Sequence, residues 1–213
     1  SKWYFPVPDK RPSDISPTKS SLWESSSAWD ALQNDDKRGE LGVTSNRVMY
    51  WDGNGIPHVY TNSINYSDDS RTLVSGDDVM LVQFISPPLE AKTWNGVTFK
   101  CYIKALEQSS SNDIRSQIVI RLVSEDGATE RAVLYGGDTA TTGPNPTSEW
   151  STTLTNRGFP RTGLLPAVFA NYTSIAGDRL VVELGYRAHS ATATNANTHI
   201  EIGDGDPTDL PED

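Results

Sequence analysis

The chain has 213 residues, a formal net charge of −10 and a pI of about 4.7. This acidity argues against nonspecific nucleic-acid binding, which needs clustered Lys and Arg, and against docking on anionic membranes. Cys101 is the only cysteine, so no intrachain disulfide forms, and its place in an alternating apolar run indicates a buried hydrophobe rather than a nucleophile.

The N-terminal region is rich in aromatic residues and prolines. Trp3, Tyr4 and Phe5 form a short aromatic strand that prolines end. Trp23 lies in a second apolar segment shortly afterwards. These aromatic residues either contact a partner or cover the open end of the domain's own core, and the second interpretation is favoured because buried Trp is common in cores.

The next part of the chain consists of short strands separated by turns. Residues 34–40 form a charged turn, and strands are predicted at 41–51 and 56–66. The tetrapeptide Asp-Gly-Asn-Gly at 52–55 joins these two strands as a hairpin, because Gly and Asn tolerate positive φ. A mostly apolar strand follows at 79–86.

Alternation of apolar and polar residues is clearest in the second half of the chain. The turn Glu-Asp-Gly at 125–127 predicts a second hairpin. A low-complexity loop over 136–147 contains Pro144 and Pro146 and is typical of a mobile or partner-ordered segment. Period-2 patterning predicts strands at 97–107, 115–124, 129–135, 148–155, 178–188 and 198–202.

The strand at 178–188 shows the alternation best. One of its sides is apolar and is predicted to face the core: Leu180, Val182, Leu184, Tyr186 and Ala188. The other side is predicted to lie near water: Arg179, Val181, Glu183 and Arg187.

About ten strands and no helix predict an all-β fold, specifically an antiparallel, jelly-roll-like β-sandwich with long loops. The domain organisation is predicted as an N-terminal arm with the first strands over 1–30 and a single sandwich domain over 31–213. That domain ends in an acidic segment.

The residues carry no pattern of an enzyme, a cofactor or a metal site. Nucleophile-elbow, phosphate-loop and zinc-protease motifs are absent from the sequence. Glu183 and Glu201 lie on predicted strands and would resemble a glycosidase pair if they faced each other, but outward-facing strand charges are the favoured interpretation. Asp204, Asp206 and Asp209 could bind calcium, and a solvated acidic tail is favoured instead.

Carbohydrate or receptor binding is the alternative function that the residues leave open. Sugar sites on β-sandwiches use exposed aromatic platforms beside Asn and Asp. Five aromatic residues are candidates for such a platform: Trp51, Tyr60, Tyr66, Trp94 and Trp150. Most are expected to be core or strand-pair aromatics.

The late part of the chain resembles a family of uncharacterised proteins encoded by tailed bacteriophages and prophages. Three segments carry the likeness: Leu-Thr-Asn-Arg-Gly-Phe-Pro-Arg at 154–161, Gly-Asp-Arg-Leu-Val-Val-Glu-Leu-Gly-Tyr-Arg-Ala-His at 177–189, and Gly-Asp-Gly-Asp-Pro-Thr-Asp-Leu-Pro-Glu-Asp at 203–213. They are similar to the family's LTNRKFPR, GDRLVVEIGYRAHN and GDATDLPEDET motifs. A central strand pair and a looser N-terminal part match in the same order.

The resemblance implies a structural protein of the virion, assembled in the host cytoplasm. Its expected place is the particle exterior, as head decoration or cement or in the neck or tail. The expected partners are other virion proteins, and the chain itself is expected to be a homo-oligomer or to be present in many copies per particle. Neither nucleic acid nor membrane is expected as a partner, and a host glycan belongs to the alternative function. Six residues are predicted to contact the partner: Trp3, Tyr4, Phe5, Trp23, Pro144 and Pro146.

Overall fold

The computed structural model describes residues 13–23, 38–41, 49–51, 57–59, 64–67, 75–99, 101–136, 149–159, 167–188 and 198–202. Their regular structure is entirely β, which confirms the all-β prediction. The fifteen strands are β1 (Arg38–Glu40), β2 (Met49–Trp51), β3 (Pro57–Val59), β4 (Ile64–Ser67), β5 (Asp78–Ile85), β6 (Lys92–Thr93), β7 (Thr98–Phe99), β8 (Cys101–Leu106), β9 (Ile114–Val123), β10 (Glu130–Tyr135), β11 (Thr155–Phe159), β12 (Ala167–Val168), β13 (Thr173–Ser174), β14 (Arg179–Ala188) and β15 (His199–Ile202).

The largest sheet has five strands in the order β1-β5-β14-β9-β10. Its centre is the antiparallel pairing of β14 with β9 over ten consecutive residue pairs. At one edge β1 runs parallel to β5, so the sheet is mixed and the prediction of a purely antiparallel fold is wrong there. The prediction of a charged turn over 34–40 is also wrong for its last three residues. They form strand β1, in which Arg38 and Gly39 are buried.

A four-stranded sheet, β11-β8-β15-β4, packs against one face of the five-stranded sheet. One apolar cluster joins the two, with Val82 and Leu184 from the larger sheet and Ile103 and Ile200 from the smaller. The chain crosses between the two sheets from β8 to β9 and from β14 to β15, whereas β9 and β10 form a hairpin within the larger sheet. The architecture is therefore that of a two-layer sandwich with a shared core.

Several local predictions are confirmed and two are corrected. Strands β2 and β3 pair antiparallel on either side of 52–55, as the hairpin prediction requires. The strand predicted at 56–66 is instead two strands, β3 and β4, which belong to different sheets. The strand predicted at 148–155 begins only at Thr155 and continues to Phe159, where it pairs with β8.

The hairpin between β9 and β10 shows how the turn sequence acts. The Ser124 hydroxyl donates to Asp126 Oδ1 at 2.6 Å, and the Ala128 amide donates to the same oxygen at 3.0 Å. The Ser124 hydrogen bond holds the pKa of Asp126 below its usual range. Gly127 has φ of +75°, which L side chains rarely adopt. This turn fixes the pairing of the two strands.

The outer face of the five-stranded sheet differs from the prediction. Arg179, Val181 and Glu183 were expected near water, yet their exposed fractions are 5%, 0% and 0%. Residues 13–23, here called the strap, cover this face. Burial on both faces explains why β14 is buried along almost its whole length.

Candidate functional site

The main polar site of the described residues lies under the strap, and the buried carboxylate of Glu183 is its centre. The backbone amide of Ser20 donates to both carboxylate oxygens, at 3.1 and 3.2 Å. The indole Nε1 of Trp23 donates to Oε2 at 2.8 Å, and Nε2 of Gln83 donates to Oε1 at 2.9 Å. A buried carboxylate needs several donors to offset its lost hydration, and here the strap supplies two of them.

Arg121, on the neighbouring strand β9, pairs with Glu183. Its Nη2 lies 2.7 Å from Glu183 Oε1, and its Nε lies 3.2 Å from the same oxygen. It also donates to the backbone carbonyl of Thr18 in the strap and, at 3.1 Å, to Glu130 on β10. A guanidinium has five N–H donors and no acceptor, so one arginine can bind the sheet and the strap together.

A second pair of polar side chains holds the strap at Pro17. Nε of Arg38 donates to Gln83 Oε1 at 2.8 Å, and its Nη2 donates to the Pro17 carbonyl at 3.3 Å. Gln83 Nε2 lies 3.4 Å from the same carbonyl. The parallel strand β1 thus has a definite role, because it places Arg38 beside Gln83.

The N-terminal end of the strap is fixed by a bidentate ion pair. Arg179 Nη1 and Nη2 donate to the two carboxylate oxygens of Asp14 at 3.0 and 2.7 Å. The same guanidinium donates to the Ser86 carbonyl at 3.2 Å. The hydrogen bond from Arg179 holds the pKa of Asp14 below its usual range. The pair therefore holds the N-terminal end of the strap against the sheet.

Apolar contacts accompany the polar ones at both ends of the strap. Ile15 packs against the cluster of Ile85, Val123 and Val181. Trp23 is 2% exposed and packs with Met80 and Val119. Fully burying such a side chain contributes roughly 1.5–3 kcal/mol. Trp23 is therefore the stronger apolar anchor of the strap, and Ile15, which is only partly buried, contributes less.

We call the side chains beneath the strap the cradle: Arg38, Gln83, Arg121, Arg179 and Glu183. Three of them are guanidinium groups and one is the Glu183 carboxylate, while Glu130 on β10 pairs with Arg121 and Asp14 in the strap pairs with Arg179. The cradle binds an extended segment through backbone carbonyls, one backbone amide, an indole N–H and one carboxylate. The cradle therefore holds a segment of its own chain by backbone groups as well as by side chains.

A second buried polar group lies at the junction of β8, β9 and residues 149–151. Glu107 is 1% exposed, and its Oε2 accepts from the Ile114 amide at 3.1 Å, while its Oε1 has no hydrogen-bond donor. Burial raises the pKa of Glu107 to about 7, and the carboxylate of Glu149 adds to the rise. Two backbone hydrogen bonds join the same segments: the Glu107 amide donates to the Ser151 carbonyl, and the Trp150 amide donates to the Ile114 carbonyl.

The predicted partner contacts divide into two groups. Trp3, Tyr4, Phe5, Pro144 and Pro146 lie outside the described residues. Trp23, which was also predicted to contact a partner, is buried within its own domain. It packs with Met80 and Val119 on the outer face of the five-stranded sheet, in a cluster separate from the main core, and not at an open end of that core.

Other candidate sites are not assembled as the sequence suggested. Glu183 and Glu201 stand in different sheets, and Glu201 is paired in register with Lys104, so the two do not form a carboxylate pair. Trp94 and Trp150 belong to the core at 5% and 2% exposure and therefore form no sugar platform. The side chains of the other platform candidates, and Asp204, Asp206 and Asp209, lie outside the described residues.

Sequence reasoning missed the cradle, although a signal was present. Arg121 and Glu183 each interrupt a run of apolar residues in the middle of a strand, where a charge is costly unless it has a partner. Opposite charges at the centres of two strands that pair with each other indicate a buried ion pair. The missing information was the pairing itself, Glu183 with Val119 and Val181 with Arg121.

In the part of the chain that the structure describes, no cluster of three or more His, Cys, Asp or Glu side chains is placed to hold a metal ion. That same part contains no helix long and apolar enough to span a membrane. The sequence matches no protein-family model and no curated protein.

Proposed function

We propose that this chain is a structural protein of a tailed-bacteriophage virion that binds neighbouring virion subunits through its N-terminal arm. The motif likeness at 154–161, 177–189 and 203–213 supports the phage origin. The anchored strap supports the use of the arm. The proposed role is binding, without catalysis or a cofactor, on the exterior of the particle.

The observation that carries the proposal is the fixed start of the strap. The Asp14–Arg179 ion pair and the packing of Ile15 hold the strap at one end of the sheet. A segment that joins the domain at a fixed point can be presented to a neighbour in a defined direction, which lowers the entropy lost on binding. Aromatic residues at positions 3 to 5 then supply apolar area for that contact.

Repetition on a particle would compensate for a weak single contact. Subunits of a shell present the same surface many times, and linked binding events raise the overall affinity by effective concentration. The net charge of −10 keeps free copies soluble and mutually repelling until a complementary surface is met.

The test is quantitative proteomics and density mapping of purified particles. Many copies at symmetric positions are expected for the intact chain. Absence of the chain from particles would contradict the proposal, and saturable binding in a glycan array would then favour the carbohydrate-binding alternative.

A variant series locates the contact. Replacing Trp3, Tyr4 and Phe5 together with alanine changes no residue of the strap. We therefore expect unchanged thermal stability and loss of the chain from purified particles. The control Leu154→Ser alters a residue that is 38% exposed and lies outside the arm, and it should keep full copy number. Full copy number for the triple variant would refute binding through the arm.

A further inference from the structure

The turn between β6 and β7 carries the dipeptide Asn95-Gly96 on the surface of the domain. Both residues are exposed, and Gly96 has φ of +66°, a conformation that glycine adopts without strain. A Cβ built on Gly96 would meet no atom within 4 Å, so the space around the turn is open. Among the residues that the structure describes, no group forms a hydrogen bond with the Asn95 side chain or the Gly96 amide.

An asparagine followed by glycine can react with its own backbone. The Gly96 backbone nitrogen, after losing its proton to hydroxide, attacks Cγ of Asn95, and the bond from Cγ to the side-chain nitrogen breaks and releases ammonia. Water then opens the five-membered succinimide ring at either carbonyl, which gives aspartate or isoaspartate. The net reaction consumes one water and needs no oxidant, reductant or cofactor. Glycine favours the attack because it has no Cβ to obstruct the nitrogen.

The turn at Asp126-Gly127 shows how the fold can prevent the same ring closure. The Gly127 amide donates to the Ser124 carbonyl at 2.8 Å, so its nitrogen is held away from the side chain. Oδ1 of Asp126 accepts from Ser124 and Ala128, and the Ser124 hydrogen bond holds the pKa of Asp126 below its usual range. An ionised carboxylate held in this way is a poor electrophile, whereas the neutral amide of Asn95 has no such restraint.

Asn112 is the matched case of a protected asparagine. It is followed by Asp113, it is fully buried, and its own backbone amide donates to the Ser109 carbonyl at 3.0 Å. Ring closure requires the side chain to turn toward the next backbone nitrogen, and ring opening requires water. A buried asparagine therefore reacts only from locally open states, which are a small part of the population.

The residues on either side of the turn are fixed to a neighbouring segment. The Trp94 amide donates to the Tyr172 carbonyl at 2.8 Å, and the Trp94 indole donates to Ser174 Oγ at 3.1 Å. After the turn, the Val97 carbonyl accepts from the Phe169 amide at 2.8 Å. Isoaspartate adds one atom to the main chain, and the open space at the turn can take up that extra length between the two fixed points.

We propose that Asn95 is a site of spontaneous deamidation, at which the folded protein is converted with time to aspartate and isoaspartate. The modification adds one negative charge to an exposed turn of a chain whose net charge is already −10. The inference goes beyond the proposed function and does not depend on it, because it concerns the purified protein.

The test follows each asparagine separately by peptide mapping. The purified protein is incubated at pH 8, sampled over several weeks, digested with trypsin and analysed by chromatography with mass spectrometry. Cleavage after lysine and arginine gives peptide 93–100, in which Asn95 is the only amide side chain, and peptide 105–115, which contains Asn112. The second Asn-Gly pair, at 54–55, lies outside the described residues and falls in a different peptide.

Synthetic peptides of the sequences 93–100 and 105–115, incubated in parallel, give the rate of each asparagine without the fold. Dividing the rate in the protein by the rate in the peptide isolates the effect of the structure. We expect the fold to slow Asn95 by less than about tenfold and Asn112 by more than about tenfold, because only the second must wait for local opening. Peptide 93–100 should give two product peaks of equal mass, one for aspartate and one for isoaspartate.

The variant Asn95→Gln is the chemical control, because its longer side chain would have to close a six-membered ring, which forms far more slowly. Its peptide 93–100 should keep its mass over the same period. Slowing of Asn95 by more than about tenfold in the folded protein would show that the turn is protected and would overturn the proposal. Equal slowing of Asn95 and Asn112 would overturn it as well, because exposure would then not determine which asparagine reacts.

Discussion

Replacing Glu107 with glutamine should stabilise the protein at alkaline pH and leave its stability at pH 5 nearly unchanged. Burial raises the pKa of this carboxyl from 4.5 to about 7 in the folded state. Between these values the folded protein keeps a proton that the unfolded chain releases, so stability falls as pH rises through this window and is level above it. At about 1.4 kcal/mol per pKa unit, the loss at pH 8 is about 3 kcal/mol.

Glutamine removes that loss because it never ionises. Its amide oxygen can still accept from the Ile114 amide, and its NH2 group can donate to Glu149, where Glu107 Oε1 has no donor. We therefore expect Glu107→Gln to raise the free energy of unfolding at pH 8 by up to about 3 kcal/mol.

Urea denaturation of the unmodified protein and of Glu107→Gln at pH 5 and pH 8 measures the free energy of unfolding of each. Subtracting the two values at the same pH removes the contribution of the titrating groups that the two proteins share. The control is Glu90→Gln at an exposed position, which should change the stability by less than about 0.5 kcal/mol at either pH. An equal effect at the two pH values, or destabilisation at pH 8, would refute the assignment of Glu107 as a buried carboxyl that is neutral below pH 7.

Three further changes test the strap and the sheet. Glu183→Gln should cost about 3–5 kcal/mol in urea denaturation, because it removes the buried carboxylate of the Arg121 ion pair and leaves only the exposed Glu130. Glu130→Gln, at a side chain that is 42% exposed, should cost at most about 1 kcal/mol. Similar losses for the two variants would contradict a central role for Glu183. Asp14→Asn should cost at most about 1 kcal/mol at pH 7, because Asp14 is 60% exposed. That cost should vanish as pH falls below the lowered pKa of Asp14, and limited proteolysis should cleave the variant faster within the strap; unchanged cleavage would count against this anchor. Gly185→Ala should lower the melting temperature markedly, because a Cβ there would overlap the Val79 carbonyl at the bulge between β14 and β5, and an unchanged melting temperature would show that the bulge relaxes freely.

The strands with strict alternation could be predicted because apolar–polar patterning and turn chemistry, which determine them, are both local in the sequence. The strand predicted at 178–188 is observed at Arg179–Ala188, and the strand predicted at 115–124 is observed at Ile114–Val123. The turn at 125–127 was also predictable, since it is held by hydrogen bonds among residues 124–129 and by the positive φ of Gly127, all of them local. Patterning and turn chemistry need no knowledge of distant residues.

The cradle could not be predicted in this way because its partners are far apart in the chain. Ser20 and Glu183 are separated by 163 residues, and Asp14 and Arg179 by 165. Period-2 alternation indicates two faces of β14 but not that a distant segment covers the second one. The polar residues on that face therefore appeared to be solvent-exposed, whereas they bind the strap.

The composition of the cradle bears on what the strap can do. Apolar residues of the same volume would hold a strap at least as strongly, because replacing a buried ion pair with well-packed hydrophobic residues is often neutral or stabilising. A charged network instead requires an amide at Ser20, carbonyls at Pro17 and Thr18, and an indole at Trp23, each in one register. A strap shifted by one residue would present the wrong backbone groups, so Glu183 would lose the donors from Ser20 and Trp23 and Arg121 would lose the Thr18 carbonyl. We infer that the network favours one register of the strap on this face over strength of binding.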